Sequence, residues 1–228
     1  MTSRRKADEL INQGRVSVNG RRVERPGDSA IWGLDTIEVD GVKISAPSPR
    51  TYIMLNKPFG YVSALSDPQG RPIVTDLLKG IKERIYPVGR LDFDSLGLLL
   101  LTNDGEWAHR IAHPRYHVPK TYKITLTDQI TREALDMLRK GVELEDGFSG
   151  SSKVTLLKRA SGRTLIRMTI TRGKSRIVRR MVEAVGSSVV HLVRTGVGIL
   201  ELGDLKMGSY RLLETHDVEA MKKMVGLV

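Results

Sequence analysis

The sequence predicts an α+β fold: a small α+β unit followed by a larger domain built on a mixed, largely antiparallel sheet. Helix-period and strand-period segments intermingle without the strict alternation of a parallel α/β protein. Asn19-Gly20 and Asp40-Gly41 each sit between short alternating apolar stretches, the pattern of two-residue hairpins. The Pro- and Ser-rich stretch SAPSPRT, residues 45–51, interrupts both patterns. It places a linker at 46–51, between units at 1–45 and 52–228.

In the first unit, RRKADELINQG sets Ala7, Leu10 and Ile11 on one helical face and ends at Gly14. RVSVNGRRVE then alternates through Val16 and Val18, turns at Asn19-Gly20 and returns through Val23. DTIEVDGVKI repeats the hairpin. In the second unit, TYIMLNKP, GYVSAL and KTYKITLT read as strands, and RTLIRMTIT as a strand with Ile166, Met168 and Ile170 inward. LGLLLLTNDG is a continuous apolar run bounded by turn residues and reads as a buried strand. Helices are expected at GEWAHRIAH, opened by Asn103 or Asp104, and at TREALDMLRKG, between Thr131 and Gly141. A third helix, Ser175 to Val185, is expected to end at Gly186.

Charge narrows the function. The 37 Lys and Arg against 26 Asp and Glu give a net charge of +11 and a pI near 10, which favours a polyanionic partner, nucleic acid above all. The absence of cysteine removes disulfides, thiolate catalysis and cysteine-ligated zinc. No apolar run approaches the roughly 20 residues of a membrane span, and MTSRRKADEL lacks a signal-peptide core. A cytoplasmic protein is expected.

Asp92 and Asp94 in GRLDFDS are two apart and would share a face of a strand. Such a pair could hold magnesium for nucleotidyl transfer, but Arg90 beside them would repel a metal and favours an ionised, metal-free carboxylate. Two solvated loop acids are the plain alternative. RGKS at 172–175 lacks the earlier glycine of a phosphate loop, with Met168 in its place. His109, His113 and His117 have helical spacing, yet Pro114 breaks the helix and no HExxH carboxylate accompanies them. No serine occupies a G-x-S-x-G elbow.

The predicted helix at 175–185 carries an apolar stripe of Ile177, Val178, Met181, Val182 and Val185. Arg176, Arg179 and Arg180 fill the other arc behind Arg172 and Lys174, and locally only Glu183 offsets them. Phosphate contact or carboxylate pairing is therefore expected. A second basic cluster, Arg4, Arg5, Lys6, Arg15, Arg21 and Arg22, lies on the first helix and hairpin. Tyr122 opens an alternating strand and could stack on a base.

Taken together, these segments resemble bacterial pseudouridine synthases that carry an N-terminal S4 RNA-binding domain and modify ribosomal RNA. SRRKADELINQGRVSVNG is similar to the S4 signature, GRLDFDSLGLLLLTNDGEWAHRIAHP to the catalytic motif, and KTYKITL to the tyrosine motif. YIMLNKPFGYVSALSDPQGRP resembles the opening of the catalytic domain, and GKSRIVRRMVEAVGSSVVHLVRTGVGILELGDL its C-terminal motif. The resemblance implies a catalytic domain with a central cleft and Asp92 as the catalytic residue. The reaction would break the bond from uracil nitrogen to ribose, rotate the base and rejoin it through carbon, with no cofactor and no metal.

It further implies that Arg179 salt-bridges Asp92, that Tyr122 stacks on the uracil, that Arg90 helps hold the target nucleotide out of the stack, and that Leu192 walls the pocket. Asp94 matches no catalytic position and is expected to be a loop acid or cap. RNA contacts are expected from Arg4, Arg5, Lys6, Arg15, Arg21, Lys174, Arg176 and Arg180. Only Met1 and Thr2 precede Ser3, so an S4 domain without its usual first helix is expected. The partner implied is ribosomal RNA, the large subunit slightly favoured over the small, and the enzyme a monomer away from membranes. A non-catalytic S4-type ribosome-assembly protein is the alternative, and it gives no reason for Asp92, Tyr122 and Arg179 to occur together.

Overall fold

Both Asx-Gly pairs turn as their chemistry dictates. Asn19 and Gly20 have φ of 52° and 74°, and Asp40 and Gly41 have 54° and 75°, the paired left-handed conformation of a type I′ hairpin. The side chain of Asn19 reinforces its turn, accepting from Thr36 N at 2.9 Å and donating to Asp35 at 2.7 Å. Residues 4–45 and 48–228 are described in this computed structural model. The chain divides into Met1–Pro49 and Arg50–Val228. The expected absence of a first S4 helix falls on Met1–Ser3, outside the described residues, as do Ala46 and Pro47 of the expected linker.

In the first unit, α1 (Arg4–Asn12) precedes β1 (Val16–Val18), β2 (Arg21–Arg22), β3 (Ile37–Val39) and β4 (Val42–Lys43). The strands form an antiparallel sheet in the order β2-β1-β3-β4. Ala7, Leu10 and Ile11 of α1 are half-buried, and Arg4, Arg5 and Lys6 are exposed.

The second unit holds, in chain order, β5 (Tyr52–Lys57), β6 (Tyr86–Val88), β7 (Leu96–Thr102), α2 (Gly105–Ala112), β8 (Lys120–Leu126), α3 (Arg132–Lys140), β9 (Lys153–Ala160), β10 (Arg163–Ile170), α4 (Ile177–Ala184), β11 (Val189–Val197), β12 (Leu200–Glu201), β13 (Tyr210–Leu212) and α5 (Thr215–Met224). The strands make one mixed sheet in the order β13-β5-β7-β11-β8-β10-β9, with β6 on β7 and β12 on β11. Its pairings are antiparallel except β7 with β11. That parallel pair runs so close that a Cβ on Gly97 would stand 2.2 Å from the Arg194 carbonyl. Gly97 also has φ of 101°, so glycine is required there on both counts.

The leucine run forms the centre. Leu99 and Leu101 join Ile53, Leu55, Leu135, Met181 and Val182 on one face of the sheet. Leu98 and Leu100 join Met54, Trp107, Ile111 and Met221 on the other. A strand covered on both faces has no polar side, which explains its unbroken apolar sequence. Asp104 caps α2 by accepting from Trp107 N at 3.2 Å, and Thr131 caps α3 by accepting from Ala134 N at 3.1 Å.

The expected strand GYVSAL does not form. Only Val62 pairs, in an isolated bridge to Ile73. Gly60, at φ 81°, turns the chain there, and Ser63 Oγ donates to Leu91 O at 2.8 Å and accepts from Leu91 N at 3.1 Å. The segment is used to tether a loop instead of extending a ladder. Strands β6, β9 and β11 to β13 and helix α5 were not expected. Of β9, an edge strand, only Val154 is buried, so its sequence lacks the alternation of a half-buried strand.

Candidate active site

Asp92 lies in the loop between β6 and β7, just before the turn at Phe93 and Asp94, which is closed by Ser95 N donating to Asp92 O at 3.1 Å. Beneath the turn is Lys57, the last residue of β5 and fully buried. Its ammonium donates to Ser95 O at 2.7 Å, Pro58 O at 3.1 Å and Phe93 O at 3.5 Å. Burial pushes the Lys57 ammonium down to about 8, against the opposing attraction of Asp94 and Asp92. Gly60 N adds a bond to Phe93 O at 3.0 Å, and Ser63 holds Leu91 from the other side. The loop bearing Asp92 is thus stitched along its length to residues 57–63.

The turn sends the two acids apart, and here the structure corrects an expectation. Arg179, 7% exposed on α4, does not pair with Asp92. It meets the Asp94 carboxylate at 3.1 Å and donates to Asp94 O at 3.2 Å and Val189 O at 3.3 Å. Arg176 approaches the same carboxylate at 3.4 Å. Asp94, expected as a loop acid or cap, is a turn acid that two arginines anchor, and the strand face it was to share with Asp92 does not exist. Because residues 93–94 form a turn, positions 92 and 94 face different ways. Among the described residues the Asp92 side chain has no hydrogen bond or ion pair, and it lines a cavity of about 310 Å³.

Arg90, Tyr122, Leu192, Lys174 and Arg176 line this cavity with Asp92. Tyr122 on β8 is 9% exposed, set in the apolar core with Leu192 of β11. Arg90 is exposed and has no ion pair or hydrogen bond among the described residues. Arg179 and Arg180 are not in the lining.

Two further cations line the cavity and were missed in the sequence. Lys120, two residues before Tyr122 on β8, donates to Ile111 O at 3.1 Å and is pushed down to about 8 by burial and, to a lesser degree, by Arg194. Arg194, two residues after Leu192 on β11, is 5% exposed and donates through Nε to Leu98 O at 2.7 Å. Both obey the strand rule that residues i and i+2 share a face. That rule, applied outward from Tyr122 and Leu192, was the available signal.

Several cations expected to meet RNA are already paired. Lys174 donates to Asp146 O at 2.6 Å, and Arg180 makes a bidentate pair with the Asp146 carboxylate at 2.8 and 3.2 Å. Arg15 pairs with Asp40 at 2.5 Å, and Lys6 with Glu9 at 3.0 Å. The local count that set Glu183 alone against the cations at 172–180 could not include Asp94 and Asp146, which arrive from distant loops. Exposed pairs of this kind are weak and open to exchange for phosphate. Arg4, Arg5 and Arg21 are exposed.

A half-buried carboxylate without a protein partner, an aromatic ring and an apolar wall surround a space that can take a single base. The cationic lining suits the phosphates that flank one.

The RNA pseudouridylate synthase family model matches residues 51–184, and the S4 domain model matches residues 2–29. Ribosomal large subunit pseudouridine synthase B of Bacillus subtilis is 43% identical over 226 residues, covering 98% of this chain and 92% of that protein. An uncharacterized RNA pseudouridine synthase of Aquifex aeolicus is 40% identical, covering 100% of this chain and 91% of that protein. A crystal structure of a pseudouridylate synthase superposes with a TM-score of 0.71 at 31% identity, over 96% of this chain and 94% of that one. With matches that run through both units and take in the loop of Asp92, the chain belongs to the RNA pseudouridylate synthase family, in the group whose members begin with an S4 domain.

Proposed function

We propose that this pseudouridine synthase acts on a uridine of ribosomal RNA, the large subunit favoured over the small, as a cytoplasmic monomer using no cofactor or metal. The observation that carries the reading is the Asp92 carboxylate, unpaired among the described residues on the wall of a base-sized cavity beside Tyr122. A carboxylate so placed can attack the ribose or stabilise positive charge developing on it as the bond to uracil nitrogen breaks. Tyr122 would stack on the base while it turns, and Arg90 at the rim would hold the extruded nucleotide, since the reacting atoms are out of reach within a helical stack. Rejoining through carbon 5 releases the proton of that carbon. The large-subunit preference draws on the Bacillus subtilis relative, whose name carries that assignment.

The test is tritium release from unmodified ribosomal RNA labelled at uridine carbon 5. Wild-type protein should release tritium with large-subunit RNA, and Asp92→Asn should release none while binding that RNA within a few fold of wild type. Release by Asp92→Asn would remove this residue from the chemistry, and release only with small-subunit RNA would reverse the substrate assignment.

A further inference from the structure

Beside the cavity, and not part of its lining, stands an exposed aromatic pair that the reaction does not use. Phe59 is 63% exposed and Phe93 is 40% exposed, with ring centroids 5.9 Å apart and planes at 58°. Exposed phenylalanines are uncommon enough that two in contact call for an occupant. The chain contains only three phenylalanines in all.

We propose that Phe59 and Phe93 form a stacking platform for an unpaired RNA base adjacent to the target uridine, with Arg71 supplying charge for its phosphate. The proposal rests on the RNA-acting function above and extends it to a second nucleotide. Three observations select this occupant. First, Phe93 directly follows Asp92, so its Cα is about 3.8 Å from that of the residue facing the cavity. A strand that delivers one base to Asp92 must place a neighbouring nucleotide close to Phe93.

Second, the platform is held in place. Gly60 N donates to Phe93 O at 3.0 Å and Lys57 to the same oxygen at 3.5 Å, so the loops carrying both rings move together with the loop of Asp92. Third, a cation is aimed at it. The Arg71 guanidinium lies 5.6 Å from the Phe93 ring centroid. Asp67 fixes it there through bonds of 2.7 and 3.1 Å and accepts from Arg71 N at 3.0 Å. Aromatic faces beside an oriented arginine are the elements with which proteins hold single-stranded RNA independently of sequence.

Stacking is tolerant of sequence, so the platform can be tested without knowing the target. The probe is a nine-nucleotide oligouridylate carrying one 2-aminopurine at its centre, titrated at low salt with anisotropy and 2-aminopurine emission read together. Wild-type protein should bind it and quench the emission. Phe59→Ala and Phe93→Ala should each relieve the quench and raise Kd by about five- to hundredfold, the range spanned by loss of one stacked base. Phe59→Tyr should keep both, and Met137→Ala, exposed on α3, should match wild type. Because Phe59 is so exposed, its replacement does not threaten folding.

Quenching that persists in the Phe59→Ala, Phe93→Ala double variant would overturn the proposal, as would a wild-type protein that binds without quenching or fails to bind. Failure of the ribosomal RNA assignment reads separately, as absence of tritium release by wild type whatever the oligonucleotide does.

Discussion

Replacing Arg179 by alanine would remove the contacts that hold Asp94, at 3.1 Å to its carboxylate and 3.2 Å to its carbonyl, and the bond to Val189 O at 3.3 Å. Breaking a buried pair from one side costs about 3–5 kcal/mol. Asp94, however, is 34% exposed and keeps Arg176 at 3.4 Å, so screening reduces the expected loss to about 2–3 kcal/mol. At roughly 2–4 °C per kcal/mol for a domain of this size, Tm should fall by about 4–12 °C. Activity should fall more steeply than stability. The released turn carries Asp92, and misplacement of a reacting group by an ångström costs about a hundredfold.

The assay is single-turnover tritium release beside thermal unfolding, for Arg179→Ala, Asp94→Asn and the double variant. If Arg179 acts through Asp94, each single variant should be impaired and the double variant little worse than either, with a coupling of about 1–3 kcal/mol. Raising the pH should not rescue Arg179→Ala, because its lesion is one of position. Additive losses, or recovery at high pH, would refute this and return Arg179 to a direct role on Asp92.

Lys57→Met tests the buried ammonium beneath the turn. Its pKa is lowered from 10.5 to about 8, so below pH 8 it is charged in both folded and unfolded chains and burial of that charge opposes folding in full. Between pH 8 and 10.5 the native state sheds its proton before the unfolded state does, and wild-type stability should gain about 3 kcal/mol relative to Lys57→Met; denaturant titrations showing a constant difference would refute the assignment. RNA binding should weaken steeply with salt, and Arg4→Ala with Arg5→Ala should flatten that slope in filter binding without altering single-turnover release from bound substrate; an unchanged slope would mean that α1 does not touch phosphate. Turnover in excess EDTA should equal turnover without it, and a collapse would point to a metal held by the Asp92 loop.

Local chemistry carries the features that the sequence determined by itself. Asn-Gly and Asp-Gly pairs commit the chain to tight turns because few other residues tolerate positive φ twice in succession. Leu98 to Leu101 read as a buried strand from an apolar run bounded by turn residues, and Thr131, with Asn103 or Asp104, announced helix starts through the bond such side chains offer to an unpaired N–H. Asp92 and Tyr122 were legible as a pair through motif resemblance, and the structure brings both to one cavity.

What remained hidden depended on groups distant in the chain. Asp94 and Arg179 meet only because β7 and β11 run side by side, and Asp146 reaches Lys174 and Arg180 from a separate loop. Ion pairs carry no periodicity, so nothing in the spacing could check the pairing with Asp92 that the resemblance implied for Arg179, which meets Asp94 instead. Lys57 and Arg194 carry no local mark of their burial, since a side chain's solvent is chosen by its neighbours in space. That the two acids differ was implied by the resemblance, but that Asp94 holds the turn through Arg176 and Arg179 is decided by the tertiary structure.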